Sequence, residues 1–383
     1  MKKAIALLLA LVFALALVSC GSNGSAPNNT PAASSASSAP ADSAPADSAP
    51  ASSETPASYN GGSASFIIHT TANEGTTNAK ALDFFADRVE ELTGGHVTFT
   101  RYYAGTLCSQ PETLNYLSTK AIDIAFLGTN IYPADLPLAN FPGTIFATGG
   151  SQYAVDYGNY MFLDNPESSA LIQGEAEANG IHYLCVIASG ANTFVSKNPI
   201  ETLADLNGLR LGTAANYTAF ESIGTTVIET FPQDMYDSFQ RGVIDCSEMS
   251  LSAAVRLMWY EVAPYYALNG TFGWGQPITI NIDRWNECSE ELQTVMLQAA
   301  RETGAYTAKL DDESIKQSAA TLKDNGTDLV TLPDEDCARW GEAMFDLAIT
   351  DARTLAEGKD YAADLDTIQG IAADYLGVEL PAK

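Results

Sequence analysis

Residues 289–326 read SEELQTVMLQAARETGAYTAKLDDESIKQSAATLKDNG, and the architecture of this chain can be inferred from them. A helical pattern runs from residue 289 to residue 324, and Asn325-Gly326 ends it. At 1.5 Å per residue, about 35 helical residues span about 50 Å, which exceeds one lobe of a globular protein of this size. We therefore predict one long helix that lies across two lobes and ties them together.

The length and charge of the chain point in the same direction. Its 383 residues are about two to three times the usual length of one domain, which also favours two lobes. The formal net charge is −28, from 19 Lys and Arg against 47 Asp and Glu. Such a surface repels phosphate backbones and anionic lipid headgroups, which excludes nucleic-acid binding and polybasic membrane docking.

The amino terminus has the form of an export signal. Two lysines precede an unbroken apolar run over residues 4–18, which is short for a membrane span. The run ends in LVSC, residues 17–20, which resembles the lipobox of bacterial lipoproteins, where the cysteine receives diacylglycerol. We predict that residues 1–19 are removed and that acyl chains on Cys20 hold the protein on a membrane. The alternative is an ordinary signal peptide with a chance cysteine, although such signals more often end in A-x-A.

A disordered linker is predicted over residues 20–62, beginning with the lipidated cysteine. From residue 21 to residue 62, 28 of 42 positions are Ser, Ala or Pro. Such a segment buries too little apolar area to fold. As a flexible chain it spans roughly 35 Å, which keeps the folded part near the membrane.

The folded part alternates between strands and helices. Strands are predicted at residues 65–70, 96–102, 121–127, 183–188, 209–213, 243–245 and 278–282. Helices are predicted at residues 78–92, 111–120, 203–206, 233–241, 250–260, 334–357 and 361–375. This α/β pattern predicts mostly parallel sheets covered on both faces. We assign residues 63–189 to a first lobe, residues 190–277 to a second, and residues 278–383 to a strand that returns to the first lobe, the long helix and the C-terminal helices.

Motifs for catalysis and metal binding are missing from the sequence. It contains no nucleophile elbow, zinc-protease motif, phosphate-binding loop or dinucleotide fingerprint. The three histidines, His69, His96 and His182, lack ligand-like spacing. No C-x-x-C occurs, so the cysteines signal neither a zinc site nor a redox pair; they are either free thiols or one disulfide with leftover thiols. We predict a protein that is not an enzyme and has no cofactor and no metal.

Three blocks of sequence carry a family resemblance. They read NPIETLADLNGLRL at residues 198–211, DMYDSFQRGVID at residues 234–245 and YEVAPY at residues 260–265. In that order they resemble the DctP-like substrate-binding subunits of tripartite ATP-independent periplasmic (TRAP) transporters. The resemblance extends from about residue 65 to residue 325 and includes FADRVEELTG at residues 85–94.

The resemblance implies a two-lobe, periplasmic-binding-protein-like fold with a long helix shared by both lobes. It implies that the protein captures a small organic solute between the lobes and delivers it to a TRAP-type secondary transporter. The implied partners are a small and a large membrane subunit, and we expect the binding subunit to be a monomer that contacts the membrane only through its lipid anchor. A tethered extracytoplasmic receptor that signals to a sensor kinase is the alternative, with the same fold.

The sequence departs from the family where members hold a ligand carboxylate. Gly212 and Asn192 occupy the two positions at which the resemblance implies arginines. A two-residue slip that lets Arg210 replace the first arginine remains open, since Arg210 and Gly212 share a strand face. We therefore expect a solute that is not a simple dicarboxylate: a neutral polar or cationic molecule, or an acid held by backbone amides and Arg101.

The expected lining of the cleft follows from the resemblance and from the loops after the strands. It consists of Asn192, Gly212, Asn216, Tyr217, Phe231, Met249, Gly128, Thr129 and Trp274. Arg101 is a separate case, since it shares a strand face with Val97 and Phe99 that should be buried. A buried arginine needs an anionic partner, so Arg101 is either in a structural ion pair or a ligand clamp.

Overall fold

The fold is known from a computed structural model, which describes residues 59–144, 147–213, 217–231, 234–274 and 277–381. The predicted signal peptide, Cys20 and most of the predicted linker lie outside the described residues. The strands are β1 (Ala64–His69), β2 (Val97–Tyr102), β3 (Ile124–Phe126), β4 (Ala147–Thr148), β5 (Ile181–Cys185), β6 (Ala188–Ser196), β7 (Arg210–Thr213), β8 (Thr226–Glu229), β9 (Cys246–Ser250), β10 (Tyr265–Trp274), β11 (Ile278–Asn281) and β12 (Leu329–Thr331). The helices are α1 (Thr77–Leu92), α2 (Thr113–Ser118), α3 (Pro137–Thr144), α4 (Ser151–Asn159), α5 (Pro166–Ala178), α6 (Tyr217–Ser222), α7 (Met235–Gln240), α8 (Leu251–Arg256), α9 (Ile282–Glu287), α10 (Glu290–Asp324), α11 (Asp334–Ala356) and α12 (Ala362–Leu376).

The strands form two sheets, one in each lobe. The first has the order β2-β1-β3-β11-β5, and the second has the order β12-β10-β6-β9-β7-β8 with β4 paired to β10. The chain passes from the first sheet to the second between β5 and β6, and it returns between β10 and β11. The predicted two-lobe α/β class is confirmed.

The expectation of mostly parallel sheets is wrong. β1 pairs in parallel with β2 and β3, but β11 pairs antiparallel with β3 and β5. In the second sheet, β6 is antiparallel to both β9 and β10. The reason is topological: β6 and β11, through which the chain enters each sheet from the other lobe, run opposite to the remaining strands of that sheet with which they pair.

The long helix forms as predicted, over Glu290–Asp324. The Ser289 hydroxyl accepts a hydrogen bond from the Leu292 amide at 3.2 Å and so caps its first turn. Its first half packs on the first sheet through Leu292 and Met296, and Leu322 near its end belongs to the core of the second lobe. One helix therefore serves both lobes.

The middle of α10 lies directly against the crossing between β5 and β6. The Thr307 hydroxyl accepts a hydrogen bond from the Ala188 amide at 3.0 Å. A Cβ placed on Gly304 would lie 2.9 Å from the Val186 carbonyl oxygen, closer than such contacts occur, so only glycine permits this approach. The helix thereby holds the connection between the lobes in place.

Candidate functional site

The candidate site lies at one edge of the second sheet. The parallel strands β7 and β8 end at this edge, at Thr213 and Glu229, and β9 ends there at Ser250, the register partner of Asn192 in β6. β6 has just crossed from the first lobe at Ala188, so this edge faces the other lobe. Ligands of open α/β sheets bind outside the carboxyl ends of the strands, which makes this edge the expected cleft.

Four polar side chains from three adjacent strands meet on one face of the sheet at this edge. Asn192 Nδ2 donates to Thr271 Oγ1 at 3.4 Å, and Thr271 Oγ1 donates to Asn269 Oδ1 at 2.8 Å. Asn269 Nδ2 in turn donates to Glu248 Oε1 at 3.2 Å. We call these four residues the amide–glutamate network. Its first three members are at most 8% exposed, so the network is built into the lobe.

Glu248 is the charged member of the network, and sequence reasoning missed it. Burial raises the pKa of its carboxyl to about 7, and the hydrogen bond from Asn269 offsets part of that rise. Among the described residues no Lys, Arg or His lies within 4.0 Å of the carboxyl. The available signal was its place beside Met249, which was already among the expected lining residues.

The predicted lining residues fall into different environments. Asn192 belongs to the network. Met249 follows Glu248 on β9, points to the other face of the sheet and packs with the hydrophobic cluster under α7 and α8. A Cβ on Gly212 would lie 2.7 Å from Ile244 Cδ1, so a side chain there would point into the same hydrophobic cluster.

Other predicted lining residues lie at the ends of strands or just after them. Phe231 follows β8 with 50% of its surface exposed. Gly128 and Thr129 are buried and follow β3 at the carboxyl end of the first sheet. Tyr217 begins α6, Trp274 ends β10, and Asn216 lies outside the described residues.

Arg101 and Arg210 are both engaged with carboxylates of the protein itself. Arg101 contacts Asp83, Asp87 and Glu90, all on α1, at 3.3, 2.6 and 3.5 Å. Of the two alternatives for Arg101, a structural ion pair or a ligand clamp, these contacts are the kind that the ion pair requires.

Arg210 forms a two-pronged pair with Asp245, at 2.8 Å from Nε and 2.7 Å from the terminal nitrogen. It sits at the start of β7, at the opposite end of that strand from the candidate cleft. Arg210 could replace the arginine that the resemblance implies at residue 212 only if this ion pair with Asp245 broke.

A second buried carboxyl lies where α10 meets the crossing strand. Asp311 is 4% exposed, and its Oδ2 has no hydrogen-bond partner among the described residues. Burial raises the pKa of Asp311 to about 7, although the Gly190 amide opposes that rise. Gly190 lies in β6 close to Asn192, so the connection between the lobes contains a titratable group.

The described residues include five cysteines, all with free thiols, and no helix among them is long and apolar enough to cross a bilayer. Four of the thiols, those of Cys108, Cys185, Cys246 and Cys337, are buried. Buried thiols of this kind have a raised pKa and are poor nucleophiles. They therefore add no chemistry to the candidate site.

Comparison with known proteins shows what this chain is similar to in sequence and in fold. A solute-binding protein of Chromohalobacter salexigens is 25% identical over 264 residues, which cover 67% of this chain and 76% of that protein. The fold is similar to that of a TRAP periplasmic solute-binding protein from Rhodobacter sphaeroides in an apo open structure. That comparison has a TM-score of 0.70 at 20% identity and covers 82% of this chain and 99% of the other.

A TRAP periplasmic solute-binding protein from Roseobacter denitrificans, solved with bound β-D-glucuronate, is also similar in fold. Its TM-score is 0.59 at 23% identity, and the match covers 80% of this chain and 99% of the other. Residues 68–348 match the model of the bacterial extracellular solute-binding proteins, family 7. The resemblance seen in the sequence blocks is thereby confirmed, and the chain belongs to family 7 of the bacterial extracellular solute-binding proteins, the DctP family.

Proposed function

We propose that this protein captures a small organic solute between its two lobes and delivers it to the small and large membrane subunits of a TRAP-type secondary transporter. The amide–glutamate network carries the proposal, because it places built-in polar groups at the edge of the second sheet that faces the first lobe. The glucuronate bound to the Roseobacter denitrificans relative supports a ligand of similar size. Two chain crossings and a shared helix suit lobes that close around a solute.

We infer further that the solute is bound and released without chemical change. His182, which is partly buried, and His69 are both in the first lobe and are unsuited to acid–base catalysis. Burial lowers the pKa of His182 to about 4, and its ring stacks on Trp285 with centroids 4.7 Å apart. His69 is fully buried, and burial lowers its pKa as well. Both rings are therefore neutral packing groups near pH 7.

Solute binding is expected to stabilise the purified protein. At about 100 times the dissociation constant, a ligand that binds only the folded state raises the free energy of unfolding by about 2.7 kcal/mol. Differential scanning fluorimetry against sugar acids, C4-dicarboxylates, polyols, amides and amines measures this as a higher Tm. Small-angle scattering should show a smaller radius of gyration with the same compound. A panel that changes neither quantity would contradict the proposal.

A membrane anchor at Cys20 is a separate part of the proposal. Cys20→Ser removes the thiol that the LVSC motif presents for acylation, so the variant is expected in the soluble fraction while the parent stays in the membrane pellet. One acyl chain binds a bilayer only marginally and two or three bind stably, so the redistribution should be nearly complete. Cell fractionation with immunoblotting checks this, with Ser19→Ala as the control that keeps the cysteine. An equal membrane share for Cys20→Ser would show that the anchor lies elsewhere.

A further inference from the structure

The hydrogen bonds of the amide–glutamate network all run in one direction, toward Glu248. Each donor is used toward the next member: Asn192 toward Thr271, Thr271 toward Asn269, and Asn269 toward Glu248. Asn269 Oδ1 also accepts from the Thr271 amide at 3.1 Å, which fixes the amide so that its Nδ2 points at the glutamate. The network therefore orients the Glu248 carboxyl by one oxygen, Oε1.

The other carboxylate oxygen, Oε2, accepts no hydrogen bond from the residues that the structure describes. Glu248 is partly exposed, so this oxygen is within reach of a molecule in the cleft. A carboxyl that is largely desolvated and lacks a cation stabilises itself either by taking up a proton or by gaining an oppositely charged partner. The rise of its pKa to about 7 is the first of these responses.

The neighbouring positions supply no such partner. Asn192 lies diagonal to Glu248 across the β6–β9 pair, since the register partner of Glu248 is Phe194. Diagonal neighbours on one face of a sheet are within reach of long side chains, so an arginine at residue 192 would contact the glutamate. An uncharged asparagine stands there instead. Within 4.0 Å of this carboxylate, the described residues supply no positive charge.

We propose that the captured solute is a small organic cation, whose ammonium or guanidinium N–H groups bind Glu248 Oε2. An anionic solute would meet like-charge repulsion there, and no described Lys, Arg or His within 4.0 Å of the carboxyl offsets that repulsion. A metal ion prefers several oxygen ligands, which a lone carboxylate does not provide. The net charge of −28 also raises the local concentration of cations around the protein. This inference rests on the proposed capture of a solute and specifies the charge of that solute.

The test uses the small-molecule fraction of yeast extract below about 1 kDa as the probe. The purified protein is equilibrated with this fraction and washed, and the retained compounds are identified by mass spectrometry. The expected result is one enriched compound that is cationic at pH 7, with its retention reduced at least about 30-fold in Glu248→Gln, the loss typical of removing one side of a buried charge pair. Glu201→Gln, which removes an exposed charge far along the chain from the network, should retain it fully.

Each other outcome overturns a different statement. If the parent retains an anionic or neutral compound, the assignment of Glu248 is wrong while solute capture stands. Retention of nothing above a denatured control overturns solute capture itself. The charge of the compound held by the parent decides the question even if Glu248→Gln folds poorly. Asn192→Arg gives an independent check, because its guanidinium should bind the Glu248 carboxylate and exclude the cation.

Discussion

Trp340→Ala is expected to lower the free energy of unfolding by about 3–5 kcal/mol, the usual cost of removing a buried tryptophan. Trp340 lies on α11 and is 1% exposed. Its ring contacts Phe194 of β6 and Phe220 of α6, with centroids 5.3 and 5.2 Å apart. Because this cluster attaches α11 to the second lobe, the cavity should affect the whole lobe. Urea denaturation followed by circular dichroism measures the loss.

Trp340→Phe is the matched control. The indole Nε1 is buried and has no hydrogen-bond partner among the described residues, so phenylalanine removes an unsatisfied donor along with some volume. We expect a loss of less than about 1.5 kcal/mol for this change. Equal losses in the two variants would mean that the ring contacts with Phe194 and Phe220 are not what stabilises this interface.

Asp311→Asn is expected to reduce the pH dependence of stability. The pKa of Asp311 is raised from 3.8 in the unfolded chain to about 7 in the folded protein. The folded state therefore binds more protons between these two values, and stability from this group falls as the pH rises from about 4 to above 7. The difference corresponds to at most about 4 kcal/mol. Between pH 4.5 and pH 8 the variant should gain stability relative to the parent by up to this amount.

The measurement is urea denaturation of parent and variant at both pH values. The change in the free energy of unfolding between the two pH values is determined for each protein, and the two changes are compared. This cancels the constant effect of placing an amide beside Gly190, and it cancels other raised carboxyls such as Glu175. Asp324→Asn removes an exposed carboxyl at the far end of the same helix and should follow the parent at every pH. Parallel curves for Asp311→Asn and the parent would show that the carboxyl ionises as it does in the unfolded chain.

The extent to which the sequence predicted the strands depended on how local their signals were. The strand at residues 65–70 appears as β1, one residue earlier at each end, because apolar character and a following turn mark it locally. The strand expected at residues 243–245 lies instead at β9, Cys246–Ser250. Asp245 and its neighbours form the turn into β9, where the carboxylate of Asp245 binds Arg210, a contact 35 residues away in sequence.

The long strand β10 escaped prediction for a related reason. Its residues read YYALNGTFGW, in which Asn269 and Gly270 resemble a turn rather than the middle of a strand. The structure keeps them in the sheet because β10 pairs with β6 on one side and β12 on the other, with a register shift near Gly270. Asn269 is thereby buried and donates to Glu248.

The amino-acid sequence was sufficient to predict the long helix, the two-lobe α/β class and the family. These depend on helical spacing, a serine cap and ordered sequence blocks, all of which are local properties of the chain. Only the tertiary structure decided the partners of Arg101 and Arg210, the strand directions at the crossings, and the setting of Glu248. The physical reason is that the charge state and exposure of a side chain depend on groups distant in sequence, which come together only when the sheet is paired.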